Sequence, residues 1–299
     1  MNRNNKGILN TLVGAFLFGT LPLVTLLGCK GGLSAYSTIG LKSLFSLPIL
    51  IILILRDKNR KKFTLSALLK AFVLAILSAV LTQSLLFSSY LYIAVGTATS
   101  LHFVYPIVVL LAGALIYKQK ITWRDLVCFG LMAVGIAALY TPSICDHAVK
   151  GMAFALLSGV AYGFFCLLLE KTKVLESISN YQFLLVLNVV GLVFGRVSAA
   201  IKGEHFFQIA PLGYLSALLN AVMLGIVAHA CYQSGIRNLG SRNATLLGTI
   251  EPVVSILLGV LLLKEHLTFR SAIGSIAIIA ASILLIVLKR KQPTDEVKA

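Results

Sequence analysis

Along the chain, mostly apolar runs of about 20 residues alternate with short polar breaks, and about 20 is what a helix needs to cross the hydrocarbon of a bilayer. Ten such segments can be read, at 8–28, 34–55, 66–88, 97–117, 123–141, 151–169, 181–200, 210–234, 243–263 and 269–288. The breaks are too short to hold a soluble domain. The pattern therefore predicts an all-α membrane protein with ten transmembrane helices. Composition agrees. The 299 residues are 58% apolar and 12% charged, whereas soluble domains run at about 45–50% and about 25%. One hydrophobic core could not bury so much apolar surface, which excludes a soluble enzyme, a secreted disulfide scaffold and a disordered chain.

The net charge of +16 would suggest a nucleic-acid partner in a soluble protein. No basic stripe here carries the interleaved aromatics of a stacking platform, so no nucleic acid is expected. Placement explains the charge better. Arg56, Lys58, Arg60, Lys61 and Lys62 crowd one loop, Lys118, Lys120 and Arg124 another, and Lys289, Arg290 and Lys291 follow the last segment. Alternating sides from a cytoplasmic N-terminus puts 18 Lys and Arg on the inner side and 6 on the outer, with Lys42 and Lys70 inside segments. That bias sets both termini in the cytoplasm and predicts a multi-pass protein of the inner (plasma) membrane. The first run ends Leu26-Leu27-Gly28-Cys29, which has the look of a lipoprotein cleavage site. It is long for a signal peptide and another membrane segment follows, so it is read as the first span.

Residues 98–124 read ATSLHFVYPIVVLLAGALIYKQKITWR, and 244–270 read ATLLGTIEPVVSILLGVLLLKEHLTFR. At this offset of 146, 11 of 27 positions are identical, among them Pro106 with Pro252, Gly113 with Gly259, and a Lys-x-x-x-Thr-x-Arg ending. Apolar composition alone would not align those residues. The halves, 1–146 and 147–299, then hold five helices each, and an odd number makes the second copy enter the membrane from the opposite side. Inverted-topology repeats are a mark of secondary transporters, which hold substrate near the midplane between the halves and rock one against the other.

These blocks resemble the drug/metabolite transporter superfamily, specifically its EamA-type exporters. The resemblance spans nearly the whole chain. It is most specific at the Ala-Thr-x-Leu…Pro…Gly…Lys blocks, including Glu251-Pro252 and the Leu-Lys-Glu at 263–265. Lys42, in Leu-Lys-Ser-Leu-Phe, stands where the family often has Arg before Phe. Lys118-Gln119-Lys120 lacks the acidic residue usual after the fourth helix. The resemblance implies a central cavity lined by the first, third, fourth, sixth, eighth and ninth helices, and export of amino acids or related metabolites.

Ionisable groups inside a bilayer segment cost about 2.5–3.5 kcal/mol on insertion scales, so each needs a reason. Glu251, beside Pro252, could bind a substrate ammonium or take up a proton, or could pair with Lys42 as a structural contact. Lys42 and Glu251 are the coupling candidates. Tyr105 is the counterpart of Glu251 in the first repeat, and His102 lies three residues before it. Gln83 maps at the same offset onto His229, and Gln233 follows His229 by four residues, on the same helical face. Phe18-Gly19 and Tyr162-Gly163 make another pair, at an offset of 144, whose rings could sandwich a substrate. The predicted cavity set is therefore Glu251, His102, Tyr105, Gln83, His229, Gln233, Tyr162 and Phe18.

The stripes Gly159-x-x-x-Gly163 and Gly191-x-x-x-Gly195 allow close helix approach, inside the bundle or in a homodimer. Cys29, Cys128, Cys145, Cys166 and Cys231 show no metal spacing, and Cys29 and Cys145 fall near one surface, within reach of a disulfide. No phosphate-binding loop, His-Glu-x-x-His or Gly-x-Ser-x-Gly is present. No cofactor, no metal and no enzymatic activity are expected. The chain reads as a transporter of a small polar or amphipathic metabolite among membrane lipids, with amino acids favoured. Nucleosides, sugars, organic cations or a channel-like facilitator are the alternatives.

Overall fold

The computed structural model describes residues 3–58, 60–118, 121–139, 146–204, 206–248, 250–264 and 268–289. Gln119, Lys120, Cys145, Glu265 and the basic tail from Arg290 lie outside these. The described residues form ten long helices: α1 (Asn4–Lys30), α2 (Ala35–Arg56), α3 (Leu65–Ser89), α4 (Val95–Tyr117), α5 (Trp123–Leu139), α6 (Asp146–Thr172), α7 (Asn180–Ile201), α8 (Pro211–Leu239), α9 (Ser241–Leu263) and α10 (Phe269–Lys289). All but α5 and α10 are long and apolar enough to cross a membrane. A one-turn helix, Val174–Ser177, joins α6 to α7.

Local chemistry sets where these helices start, stop and break. Ser34 and Thr64 cap α2 and α3 by accepting from the backbone N–H groups of Ser37 and Ala67. Ser179 and Gln182 form a reciprocal capping box on α7, which satisfies N–H groups that have no partner within the helix. Three helices break near a proline: α1 at Thr20 before Pro22, α4 at Phe103–Val104 before Pro106, and α9 beyond Leu247 before Pro252. Proline has no N–H for the carbonyl four residues back. In α3 and α8 the winding widens instead, into π-helix over Ile76–Thr82 and Asn220–Ala228.

Apart from the break in α1, whose counterpart α6 is continuous, these irregularities recur across the repeats. The π segments end immediately before Gln83 and His229, and α4 and α9 break at matching positions. Lys118 and Lys264, at the ends of α4 and α9, both adopt left-handed backbone, with φ of 54° and 55°. Helix pairing follows the same rule. The helices pair across the repeats as α1 with α8, α3 with α6, α2 with α7, α4 with α9 and α5 with α10, and α6 lies on α4 as α1 lies on α9. Exchanging the repeats leaves this set unchanged.

Glycine permits the closest of these contacts. A Cβ on Gly19 would sit 2.8 Å from the carbonyl oxygen of Glu251, and one on Gly163 would sit 3.0 Å from that of Tyr105. Gly195 faces Gly40 of α2, with 2.5 Å from its missing Cβ to the Gly40 nitrogen. Both glycine stripes are therefore occupied inside the bundle. Among the described cysteines, Cys29, Cys166 and Cys231 are free, and the expected partner of Cys29 lies outside the described residues.

Polar residues are buried among the apolar core, and the outer face is apolar. Thr11, Thr38, Ser43, Ser46, Ser158 and Asn220 are buried, while Leu115, Ile201 and Phe269 are 80%, 81% and 82% exposed. Connections gather at two ends. At the near end, where α1 starts, the Lys61 ammonium donates to the Glu176 carbonyl, and Gln182 bonds both backbone groups of Lys61. At the far end Glu204 accepts from Ser34 at the start of α2, and Lys150 lies 5.4 Å from the ring centre of Tyr92.

Candidate functional site

The breaks and π segments converge on one buried cavity of about 50 Å³ between the repeats. From the first repeat its wall takes Phe18 at the break of α1, Lys42 of α2, Gln83 at the end of the first π segment, and His102 at the break of α4. From the second it takes Tyr162 of α6, His229 at the end of the second π segment, and Glu251 beyond the break of α9. Gln83, His102, His229 and Glu251 thus sit where regular α-helical bonding is interrupted, a recurrent setting for functional residues, whereas Lys42 and Tyr162 stand on unbroken helix.

Lys42 is 5% exposed, and its ammonium donates to the side-chain oxygen of Gln83 at 2.7 Å. It does not pair with Glu251, so the structural ion pair considered from the sequence does not form. Glu251, 4% exposed, has no ion-pair partner among the described residues, and the Tyr105 hydroxyl packs against Gly248, three residues before it. Tyr105 is fully buried and stands behind the cavity wall, 3.3 Å from the Tyr232 hydroxyl. Gln233, 1% exposed, is also off the wall.

Hydrogen bonding fixes both histidine rings. Ser158 Oγ donates to the Ala155 carbonyl at 2.6 Å, which uses its one proton, so at 2.8 Å it accepts from His102 Nδ1. His229 Nδ1 donates to the Leu224 carbonyl, five residues back in the π segment, at 2.7 Å. In a neutral imidazole the other nitrogen is then the acceptor. Each ring offers its Nε2 lone pair from the wall of the cavity.

Aromatic rings complete the wall and the floor. Phe18 meets the His229 ring edge-on, with centroids 4.9 Å apart, and Tyr162 lies 5.5 Å from the His102 ring. One helical turn towards the near end, Tyr105, Tyr162 and Tyr232 form a layer with centroid distances of 5.0 Å and 6.2 Å. The site thus combines a base, an acid, two imidazole acceptors, an amide and aromatic walls. That set can hold a solute with charge at both ends. Among the described residues no group of three or more His, Cys, Asp or Glu could hold a metal ion.

Sequence reasoning missed Ser158, Tyr232 and the wall residues Ser78, Thr82 and Phe87. Ser158 is four residues before Tyr162 and Tyr232 three after His229, so helical spacing carried a signal for both. Ser78 lies inside a π segment, whose extra residue shifts the face that an α-helical projection assigns.

A solved crystal structure with 17% sequence identity superposes with a TM-score of 0.68, covering 97% of this chain and all of the other. At that identity the likeness concerns the fold. Two proteins of Archaeoglobus fulgidus, each named an uncharacterized transporter, are similar in sequence. One is 27% identical over 230 residues, 74% of this chain and 78% of the relative, and the other 25% identical over 253 residues, 85% and 88%. The EamA-like transporter family matches twice, over residues 5–141 and 149–287. Each match takes in one set of helices related by the pairing above, and together they span nearly all the described residues. With both of its repeats matched and meeting at one cavity, the chain belongs to the EamA-like transporter family.

Proposed function

We propose that this membrane transporter moves a small zwitterion, an amino acid or close relative, across the cytoplasmic membrane by alternating access. One observation carries the reading. Lys42 and Glu251 are both buried on one cavity wall, and they form no ion pair with each other. A buried charged group that lacks a counter-charge is costly. An amino acid supplies both counter-charges, its carboxylate to Lys42 and its ammonium to Glu251. Phe18, Phe87 and Tyr162 would flank the side chain, and His102 and His229 would accept hydrogen bonds through Nε2. The same carboxyl of Glu251 is the coupling group, protonated in exchange for the substrate ammonium.

The other elements of the reading follow from the repeats. With α5 and α10 counted, each repeat has five spans, ten in all, and an odd number inverts the second relative to the first. The Lys and Arg count supports cytoplasmic termini, and the resemblance to EamA-type exporters supports the outward direction. A cavity of about 50 Å³ is well below the ~300–1,000 Å³ of small-molecule sites. Helices must therefore part before a substrate enters, which suits rocking better than an open pore.

The test is thermal melting of the purified protein with amino acids, nucleosides, sugars and organic cations at about 10 mM each. A ligand of ~1 mM affinity for the folded state adds about 1.4 kcal/mol. We expect amino acids to raise the melting temperature, and Glu251→Gln to remove the shift. Stabilisation by sugars or nucleosides alone would replace this reading.

A further inference from the structure

A second cavity, of about 240 Å³, opens at the near end between α6 and α8. Glu170, Lys173, Glu176 and Arg237 line it, with Leu169 and Ile236 among its apolar wall residues. It therefore offers two acids and two bases. Two helical faces connect it to the central cavity. On α6 the residues Tyr162, Cys166 and Glu170 recur every fourth position, and on α8 so do His229, Gln233 and Arg237. The first of each triplet lines the central cavity and the last lines the second. Eight residues of helix separate them, about 12 Å at ~1.5 Å per residue.

Between the cavities the way is shut, but not with inert packing. Cys166 is fully buried and Gln233 is 1% exposed. The nitrogen and the oxygen of the Gln233 amide both lack a hydrogen-bond partner. Native proteins rarely tolerate a buried amide left wholly unpaired. Its place, one turn beyond His229 on the face joining the two cavities, gives it a use when that face is open.

One hydrogen-bonded contact ties α6 to α9 at the near end, beside the 3.4 Å pair of Glu170 with Lys171. The Glu170 carboxylate of α6 accepts from both the backbone N–H and the hydroxyl of Ser241, at 2.5 Å each, at the first turn of α9. A carboxylate there also meets the favourable end of the helix dipole. At the matching start of α4, Val95 follows Ala94, which makes no side-chain cap. The tie belongs to the second repeat alone.

We propose that the second cavity is a second binding station for the same small zwitterion, at the near-end mouth of the transport path. The Glu170–Ser241 contact is its latch, and the Gln233 amide is the polar group a solute meets in passing between the stations. The proposal rests on reading the central cavity as the transport site.

Cys166 lies on the path and serves as the probe. The full chain carrying Cys29→Ser, Cys128→Ser, Cys145→Ser and Cys231→Ser is reconstituted in liposomes and treated with a charged methanethiosulfonate. Labelling of Cys166 should be slow, and Glu170→Gln should speed it by about 10-fold or more, as expected for loss of charged hydrogen bonds. Ser241→Ala should speed it less, since the backbone N–H remains, and it carries the test where Glu170→Gln fails to insert. Equal rates in all three proteins would overturn the latch and the path. Alanine at about 10 mM should slow labelling in the latch variants. If the latch variants label faster and no amino acid slows them, the path stands and the substrate reading falls. If amino acids shift the melting but neither latch variant changes labelling, the transport reading stands and the second station falls.

Discussion

Where the first repeat places Tyr105 the second places Glu251, and the Tyr105 hydroxyl packs against Gly248, just ahead of Glu251, at the junction of the halves. The same offset sets Gln83 against His229 and Lys42 against Asn188. Backbone devices, by contrast, are held in common. Both repeats have a π segment before the third polar position, a broken helix at the proline, a left-handed lysine closing that helix, and a glycine seated on the carbonyl of residue 105 or 251. The backbone is largely symmetric and the chemistry is not. A symmetric scaffold gives two alternative arrangements of similar energy, which alternating access requires. One base from the first half and one acid from the second give the site a direction, which an amino acid can match.

Making the halves chemically alike should do the most harm. Glu251→Gln removes the acid while keeping its size, and should lower amino-acid flux into liposomes by about 100-fold or more, the worth of a charged hydrogen bond at ~3 kcal/mol. The protein should still insert and purify. Normal proton-dependent flux in that variant would remove Glu251 from coupling. Lys42→Gln should weaken binding by about 10-fold to 100-fold, read by isothermal titration, because Gln83 can still offer its amide to a carboxylate.

The shared scaffold makes a different prediction, in which matched substitutions act alike. Gly19→Ala and Gly163→Ala bring a Cβ within 2.6 Å of Val254 Cβ and Val108 Cβ respectively. Both should destabilise by about 1–3 kcal/mol, seen as similar drops in melting temperature. A large drop in one and none in the other would break the symmetry. The smallest effect belongs to Ser255→Ala, which loses the 3.0 Å bond from Ser255 to Thr99 across the α4–α9 contact. Interhelical bonds of this kind average about 0.6 kcal/mol in membranes, and melting should fall by no more than that implies.

What the sequence made readable follows the same division. Pro106 and Pro252, and Gly19 and Gly163, announce the repeat because backbone geometry selects those residue types, while Lys118 and Lys264 match in identity although their left-handed backbone would suit glycine. The π segments have no such signature, since any apolar residue tolerates the wider winding. Their effect on facing, which put Ser78 on the cavity wall, was therefore invisible. His102 and Tyr105 are three apart and were expected to share a face. The break at Phe103–Val104 parts them, leaving His102 on the wall and Tyr105 behind it. Gln233 does follow His229 along α8, but the Tyr105–Tyr162–Tyr232 layer lies at the turn between them. The wall thus stops one turn short of Gln233.

The most direct test of two opposed charges on one cavity is to present a solute with each charge removed in turn. Binding of an amino acid, its decarboxylated amine and its deaminated acid should be measured by calorimetry in the wild type, Lys42→Gln and Glu251→Gln. The wild type should prefer the amino acid to both analogues. Lys42→Gln should lose the preference over the amine, and Glu251→Gln the preference over the acid. Equal binding of all three solutes by all three proteins would contradict the assignment of Lys42 and Glu251 as the two poles of the site.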